Sequence, residues 1–433
     1  MDVTPLVHPS EEVVEAIWKA AQMMCDQIPD KSVGNLACHL ARVFKRRVHY
    51  GGWSMDKVRG TQAPLANDFT QAVTSDSLTR PEQVNEFARQ LKACLSGNLD
   101  NNLGVVIHGG LYPACDPGSP KPWDELSYED FAVYVEAAKK GGWLVTIDPT
   151  LFNHYLAKHG LDLATISSLD EKKRRFFVEH VKRVIEIAQR IADELGYQVV
   201  VNIWAIDGRQ TKAVNRLKRR QAMRKSLQEI GEYAKAFKGV QLAVEYKRWA
   251  AETTQFTVGS PESLAMFVAQ HLDMFCLTQD MGHEVPGMDW SDRISACEMN
   301  GVKIVTHASQ GWFGDDDLTV TPTDQLIEYF RELKMCGLEE SPVIIDTFDK
   351  VTNAFAATVI SVLSVRVAQF LAEIYYALTE ALEEAEDQGN NGAIMMISEA
   401  SRLLTPSMIV AKAALMFGLE DPAPLIEAMW QPA

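Results

Sequence analysis

Basic charge is scarce in this sequence. Forty-two lysines and arginines stand against 58 aspartates and glutamates, a formal net charge of -16. A general nucleic-acid partner needs a broad basic surface, so that class is set aside. The one basic run, NRLKRRQAMR up to Arg224, is short and reads as the solvated start of a helix rather than a phosphate-binding patch. Cysteine is sparse too: seven, with no CxxC pair. An odd count at wide spacing speaks against a disulfide framework and for free thiols in a reducing, cytoplasmic setting. The opening stretch MDVTPLVHPSEEVVEAIW has no apolar signal region. The most apolar helical run, AFAATVISVLSVRVAQFLAEIYYAL, contains Arg366 and Gln369 and reads as a buried helix, so no membrane partner is expected. There is no early Gly-rich phosphate loop, no Ser/His/Asp order of a hydrolase, no internal repeat and no low-complexity segment.

What the chain does have is length and apolar content. It has 433 residues, 47% of them hydrophobic, enough for a barrel-sized core. Eight short runs rich in branched and aromatic residues read as strands: 47–53, 103–109, 143–149, 197–205, 240–246, 274–280, 303–309 and 342–348. Helix-like segments alternate with them. Several begin at favourable starts (Thr79-Arg80-Pro81, Ser127, Ser260-Pro261) and stop at Gly141, Gly196, Gly239 or Gly301. Eight strands alternating with helices predict a closed (β/α)8 TIM barrel, with a doubly wound open sheet as the second choice. The expected organisation is N-terminal helical decoration over 1–46, a catalytic barrel over 47–350, and a C-terminal helical extension over 351–433. That extension opens with one long helix from about Val351 to Asp387, broken at Gly389-Asn390-Asn391-Gly392.

The strand ends carry the chemistry. Glu245 ends the fifth run, Asp280 the sixth, and His307 and Asp346 lie near the ends of the seventh and eighth. In a parallel barrel such residues converge. A single acidic residue at a strand exit is usually just solvated. Four at consecutive ends would be too costly to bury together without a cation. One imidazole with three carboxylates suits Mn²⁺, Mg²⁺ or Co²⁺ better than a thiolate-type zinc site. His283 follows Asp280 by three residues, and Asp315 and Asp317 share one face of HASQGWFGDDDLTV, so these three are candidates for a second, nearby cation. The plainer alternative for DDD is a solvated acidic turn. Lys247, two residues after Glu245, offers positive charge beside a substrate oxygen, or is a surface lysine. His108 and Trp204, with His49 and Trp53 at the first strand's end, could line a pocket for a polyhydroxylated, uncharged ligand.

The segments VNIWAIDGRQ, VEYK, TVGS, CLTQDMGHEVP, KIVTHASQGWFGDDDL and VIIDTFDKVTN resemble the landmark segments of the L-rhamnose isomerase family, within the xylose-isomerase-like barrels. The likeness runs from His49 to the helix after Asp349 and is strongest from Val201 onward. It implies a structural metal held by Glu245, Asp280, His307 and Asp346, and a catalytic metal held by His283, Asp315 and Asp317. Lys247 matches the lysine accompanying the glutamate, His108 a substrate-contacting histidine and Trp204 a pocket aromatic. The implied cofactors are two divalent ions, Mn²⁺ first, with Co²⁺, Mg²⁺ or Zn²⁺ as alternatives. The implied reaction is aldose–ketose isomerisation of an unphosphorylated sugar such as L-rhamnose or a related hexose, in a cytoplasmic homo-oligomer, tetramer or dimer. A metal-dependent epimerase or lyase on the same barrel is the alternative; a non-catalytic carbohydrate-binding barrel ranks below it. The chain departs from the family at Glu284-Val285-Pro286, at DPTLFNH and around HYGGWSMDK, all read as bordering the sugar-binding end of the pocket.

Overall fold

The computed structural model describes residues 48–51, 80–95, 103–108, 121–149, 151, 165–204, 214–247, 261–284, 287–310, 319–347, 354–377 and 379–395. The 1–46 segment, Trp53, Asp315, Asp317 and the tail beyond 395 lie outside them. So does the side chain of His49. The described residues fall into two compact units, one of 48–321 with 340–362, the other of 322–339 with 363–395.

All eight expected strands form. They are β1 (Val48–Gly51), β2 (Leu103–Ile107), β3 (Leu144–Ile147), β4 (Val199–Trp204), β5 (Val240–Glu245), β6 (Phe275–Asp280), β7 (Ile304–Ala308) and β8 (Val343–Ile345). They make one sheet, in the order β3-β2-β1-β8-β7-β6-β5-β4, and every pairing is parallel. Between them run α1 (Arg80–Leu95), α2 (Ala132–Gly141), α3 (Glu171–Leu195), α4 (Arg216–Ala234), α5 (Pro261–Ala269), α6 (Asp292–Glu298) and α7 (Asp324–Met335).

The expected barrel is closed at every junction except one. No backbone ladder joins β3 to β4. Side chains bridge that seam instead. The Tyr197 hydroxyl donates to the carbonyl of Val145 and accepts its N–H at 2.6 Å. The carboxylate of Asp148 accepts the N–H of Asn202 at 2.8 Å. Main-chain groups of both strands are thereby satisfied without a direct ladder. The fold is TIM-barrel-like, with an open seam.

Alternation along the strands decides what the sheet encloses. Val106, Val200, Ala243, Cys276, Val305 and Ile344, one from each of six strands, pack into one apolar cluster. Two residues further along the same strand faces stand His108, Asn202, Glu245, Thr278, His307 and Asp346. The apolar layer therefore floors the polar one.

The helices follow ordinary rules. Asp170 caps α3, its carboxylate accepting from the N–H groups of Lys172 and Lys173 at 2.9 and 3.2 Å. One stripe of α3, including Phe177, Val181, Val184, Ala188 and Ile191, is fully buried. The start of α4 is the solvated basic helix expected, with Arg216, Lys218, Arg220 and Arg224 exposed. Two expected glycine stops shift. Gly142, not Gly141, takes the left-handed conformation that ends α2 (φ 70°). Gly239 is not a stop, since α4 ends at Ala234; a Cβ on Gly239 would sit 2.7 Å from Cβ of Ala192, so its role is close packing against α3. The expected long C-terminal helix is described over Ala354–Ala377 (α8) and Thr379–Asp387 (α9), with residue 378 outside the described residues. Within the second unit, α7 and α8 are tied by an ion pair, Lys334 Nζ to the buried carboxylate of Glu373 at 2.7 Å. Among the described residues no helix is long and apolar enough to cross a membrane, and Cys276, Cys297 and Cys336 are free thiols.

Candidate metal centre

Four side chains meet above the apolar floor. Glu245, Asp280, His307 and Asp346 are all buried, and each offers one ligand atom within 4.8 Å of the others. The register explains it: Asp280 pairs with His307 across β6 and β7, and Asp346 follows directly on β8. His307 Nδ1 lies 3.6 Å from Glu245 Oε2, 3.5 Å from Asp280 Oδ2 and 3.4 Å from Asp346 Oδ2.

Neighbours fix the orientation of these ligands. Asp280 Oδ1 accepts from the Ser309 hydroxyl at 2.7 Å and from the Gly282 N–H at 2.8 Å, which leaves Oδ2 turned to the imidazoles. Glu245 Oε2 accepts from the side-chain amide of Asn202 at 2.6 Å, and Asn202 Oδ1 accepts from Thr278 at 2.7 Å. With its main-chain N–H on Asp148, Asn202 links the open seam to a ligand carboxylate. Such outer contacts orient the ligands, and donated to carboxylates they favour the charged, metal-binding form.

The electrostatics are those of a cation site. Burial works against charge on His307, but the Glu245, Asp280 and Asp346 carboxylates outweigh it and hold its pKa well above the usual value. Burial likewise opposes charge on Asp280, yet His283 and His307 hold it well below the carboxylate range. Burial raises Asp346 and pushes Asp148 up to about 7. Three carboxylates packed this closely are stable only with positive charge among them. An oxygen-rich set with one imidazole suits a hard or borderline divalent ion, so the residues fit the expected metal.

His283 lies beside this cluster. Its Nε2 is 3.6 Å from Asp280 Oδ2, and its Nδ1 is 3.1 Å from Glu245 Oε1 and 3.0 Å from the carbonyl of Tyr246. Against the cost of burial, the Asp280 charge and Glu245 push its pKa up to about 9. Its expected companions Asp315 and Asp317 lie outside the described residues. Lys247 is buried, not a surface lysine, and its Nζ stands 4.8 Å from the centre of the Trp204 ring. His108 is fully buried at the end of β2. Sequence reasoning missed Asn202, Thr278, Ser309 and Asp148. The two-residue spacing from the floor to Asn202 and Thr278 was the available signal.

An eight-stranded parallel sheet with four buried ligands at successive strand ends defines a metal-binding, TIM-barrel-like enzyme. The chain matches the family model for L-rhamnose isomerase (RhaA) over residues 45–410. It is similar to the L-rhamnose isomerase of Pectobacterium carotovorum subsp. carotovorum, 29% identical over 359 residues, with 81% of this chain and 82% of that one covered. Against the L-rhamnose isomerase of Enterobacter sp. strain 638 the identity is 30% over 360 residues, with the same coverage, 81% and 82%. A solved L-ribulose 3-epimerase shares the fold at 15% identity and a TM-score of 0.50, covering 77% of this chain and 98% of that one. The chain belongs to the L-rhamnose isomerase family, as its motifs led one to expect.

Proposed function

We propose that this protein is a divalent-metal-dependent enzyme acting on an unphosphorylated sugar, and that it interconverts an aldose and its ketose, L-rhamnose and L-rhamnulose or a related hexose. The observation that carries the proposal is the buried set Glu245, Asp280, His307 and Asp346 in a chain of this family. These four would hold the first cation. His283, with Asp315 and Asp317, would hold a second. A bound Mn²⁺, or Co²⁺, Mg²⁺ or Zn²⁺ in its place, would polarise a carbonyl and the hydroxyl next to it. The chain's own residues do the rest. Lys247, buried against Trp204, places a fixed positive charge where oxygen-centred charge develops. Trp204 offers an apolar wall to the sugar's C–H surface. His108 hydrogen-bonds a sugar hydroxyl or assists ring opening, and His49 and Trp53 complete the pocket. We place the enzyme in the cytoplasm as a homo-oligomer, tetramer or dimer, with the C-terminal helices in its assembly, and we read the sheet as a (β/α)8 barrel completed at the β3–β4 seam.

A second reading is supported by the described residues as they stand. One four-ligand centre is all that an epimerase or lyase on this barrel requires of the metal, because loss of a proton beside a polarised carbonyl is its first step. The isomerase reading asks in addition for the second cation. A panel of L-rhamnose, L-mannose, D-allose, L-lyxose and D-ribose with their ketoses, incubated with the Mn²⁺-loaded protein, separates the two. Isomerisation moves the carbonyl between C1 and C2; epimerisation inverts one carbon and leaves the carbonyl in place. If no sugar in the panel changes, the substrate class is wrong.

A further inference from the structure

Glu284 directly follows His283, at one of the places where the sequence reads as departing from the family's pattern. Its carboxylate does not face an open pocket. The side chain is 2% exposed and is gripped by the Arg293 guanidinium, with Nη2 at 3.2 Å and Nη1 on the other oxygen. The Tyr246 hydroxyl donates to the same carboxylate, and Arg293 Nη1 donates to the Tyr246 oxygen at 3.0 Å. Tyr246 is fully buried between the ligand Glu245 and Lys247, and the guanidinium lies 5.4 Å from its ring centre. The carbonyl of Tyr246 stands 3.0 Å from Nδ1 of His283.

These contacts close a circuit. It runs from the His283 ring to the Tyr246 carbonyl, along the Tyr246 side chain to the Glu284 carboxylate, and back through one peptide bond to His283. Nδ1 faces only acceptors in this circuit, Tyr246 O and, at 3.1 Å, Glu245 Oε1, so Nδ1 keeps its hydrogen, and Nε2 is the nitrogen that gives up its proton to a cation. Arg293 also neutralises Glu284, so the clamp adds no net negative charge beside the carboxylate cluster.

We infer that Tyr246, Glu284 and Arg293 form a positioning clamp that holds the His283 ring with Nε2 presented as a ligand to a second divalent cation. This rests on the two-cation reading above. The three are positioning residues: they act through His283.

The test is a Mn²⁺ titration of the full-length chain, followed by the electron paramagnetic resonance of free Mn²⁺. It compares the parent with Tyr246→Phe and Glu284→Gln, and circular dichroism checks the fold. Tyr246→Phe removes one hydroxyl and leaves the Arg293–Glu284 pair intact, so it decides alone if Glu284→Gln does not fold. The parent should bind in two steps. In the variants the weaker step should loosen about tenfold while the tighter step holds, the usual scale for losing an outer-shell partner. Unchanged constants in both variants would overturn the clamp. Equal weakening of both steps would mark it as general structure and overturn it too. A single step in the parent would overturn the two-cation reading, and the clamp with it.

Discussion

Replacing Asn202 with leucine keeps the size of the side chain and deletes its amide. Two contacts go. Glu245 Oε2 loses a donor at 2.6 Å, and the Thr278 hydroxyl loses its acceptor at 2.7 Å. The main-chain bond to Asp148 is untouched. A hydrogen bond to a charged group contributes about 1.5–3 kcal/mol, and a buried hydroxyl left unpaired costs about 1–3 kcal/mol more. Part of that falls on folding. The part that falls on the metal is the freedom Glu245 regains, and outer-shell losses of this kind weaken metal binding roughly 10- to 100-fold. The assay is competition for Mn²⁺ between the protein and a chelator of known affinity. Thr278→Val should weaken binding less than Asn202→Leu. The double variant should be no worse than Asn202→Leu alone, since both act through one amide. An Asn202→Leu protein that binds Mn²⁺ as the parent does would refute the reasoning.

Three further outcomes are expected. In the chelated protein His283 is raised from 6.5 to about 9, so its stabilisation is full below 6.5 and is lost as pH climbs through 9. Between pH 7 and 9 the His283 share of the loss is about 2 kcal/mol, read from guanidinium unfolding; His307, also raised, loses stability as pH rises, so His283→Gln should reduce the slope without abolishing it. Asp148, raised to about 7, makes its own loss mainly below that window. Gly239→Ala should lower the melting temperature, because its methyl would lie 2.7 Å from Ala192 on α3, an overpacking that costs about 1–3 kcal/mol. Chelation should abolish turnover and added Mn²⁺ or Co²⁺ restore it; turnover that survives chelation would contradict a metal-dependent reaction.

What could be read from the residues divides along physical lines. The strands announced themselves because parallel strands buried on both faces are nearly continuous apolar runs, and LGVVI and VVVNIW are just that. The four ligands were legible because they stand at four consecutive strand ends, where burying them together without a cation is too costly. Asn202 was not, because an amide has no chemical signature. Its place next to Glu245 comes from β4–β5 pairing, in which Asn202 sits opposite Ala243. The open seam was hidden for a similar reason: it depends on Tyr197 and Asp148 taking main-chain groups on the facing strand. Glu284 was read as a pocket border. Only the packing of α6, which carries Arg293, turns it into the buried half of an ion pair. Ending a helix at Gly239 failed because its need for glycine comes from a neighbour far along the chain.

The central claim is that Glu245, Asp280, His307 and Asp346 together hold a divalent cation. Anomalous diffraction from Mn²⁺-soaked crystals measures it directly. The account predicts a strong manganese peak within bonding distance of all four side chains, with a second near Nε2 of His283. Crystals that diffract well and show no peak among the four would contradict it.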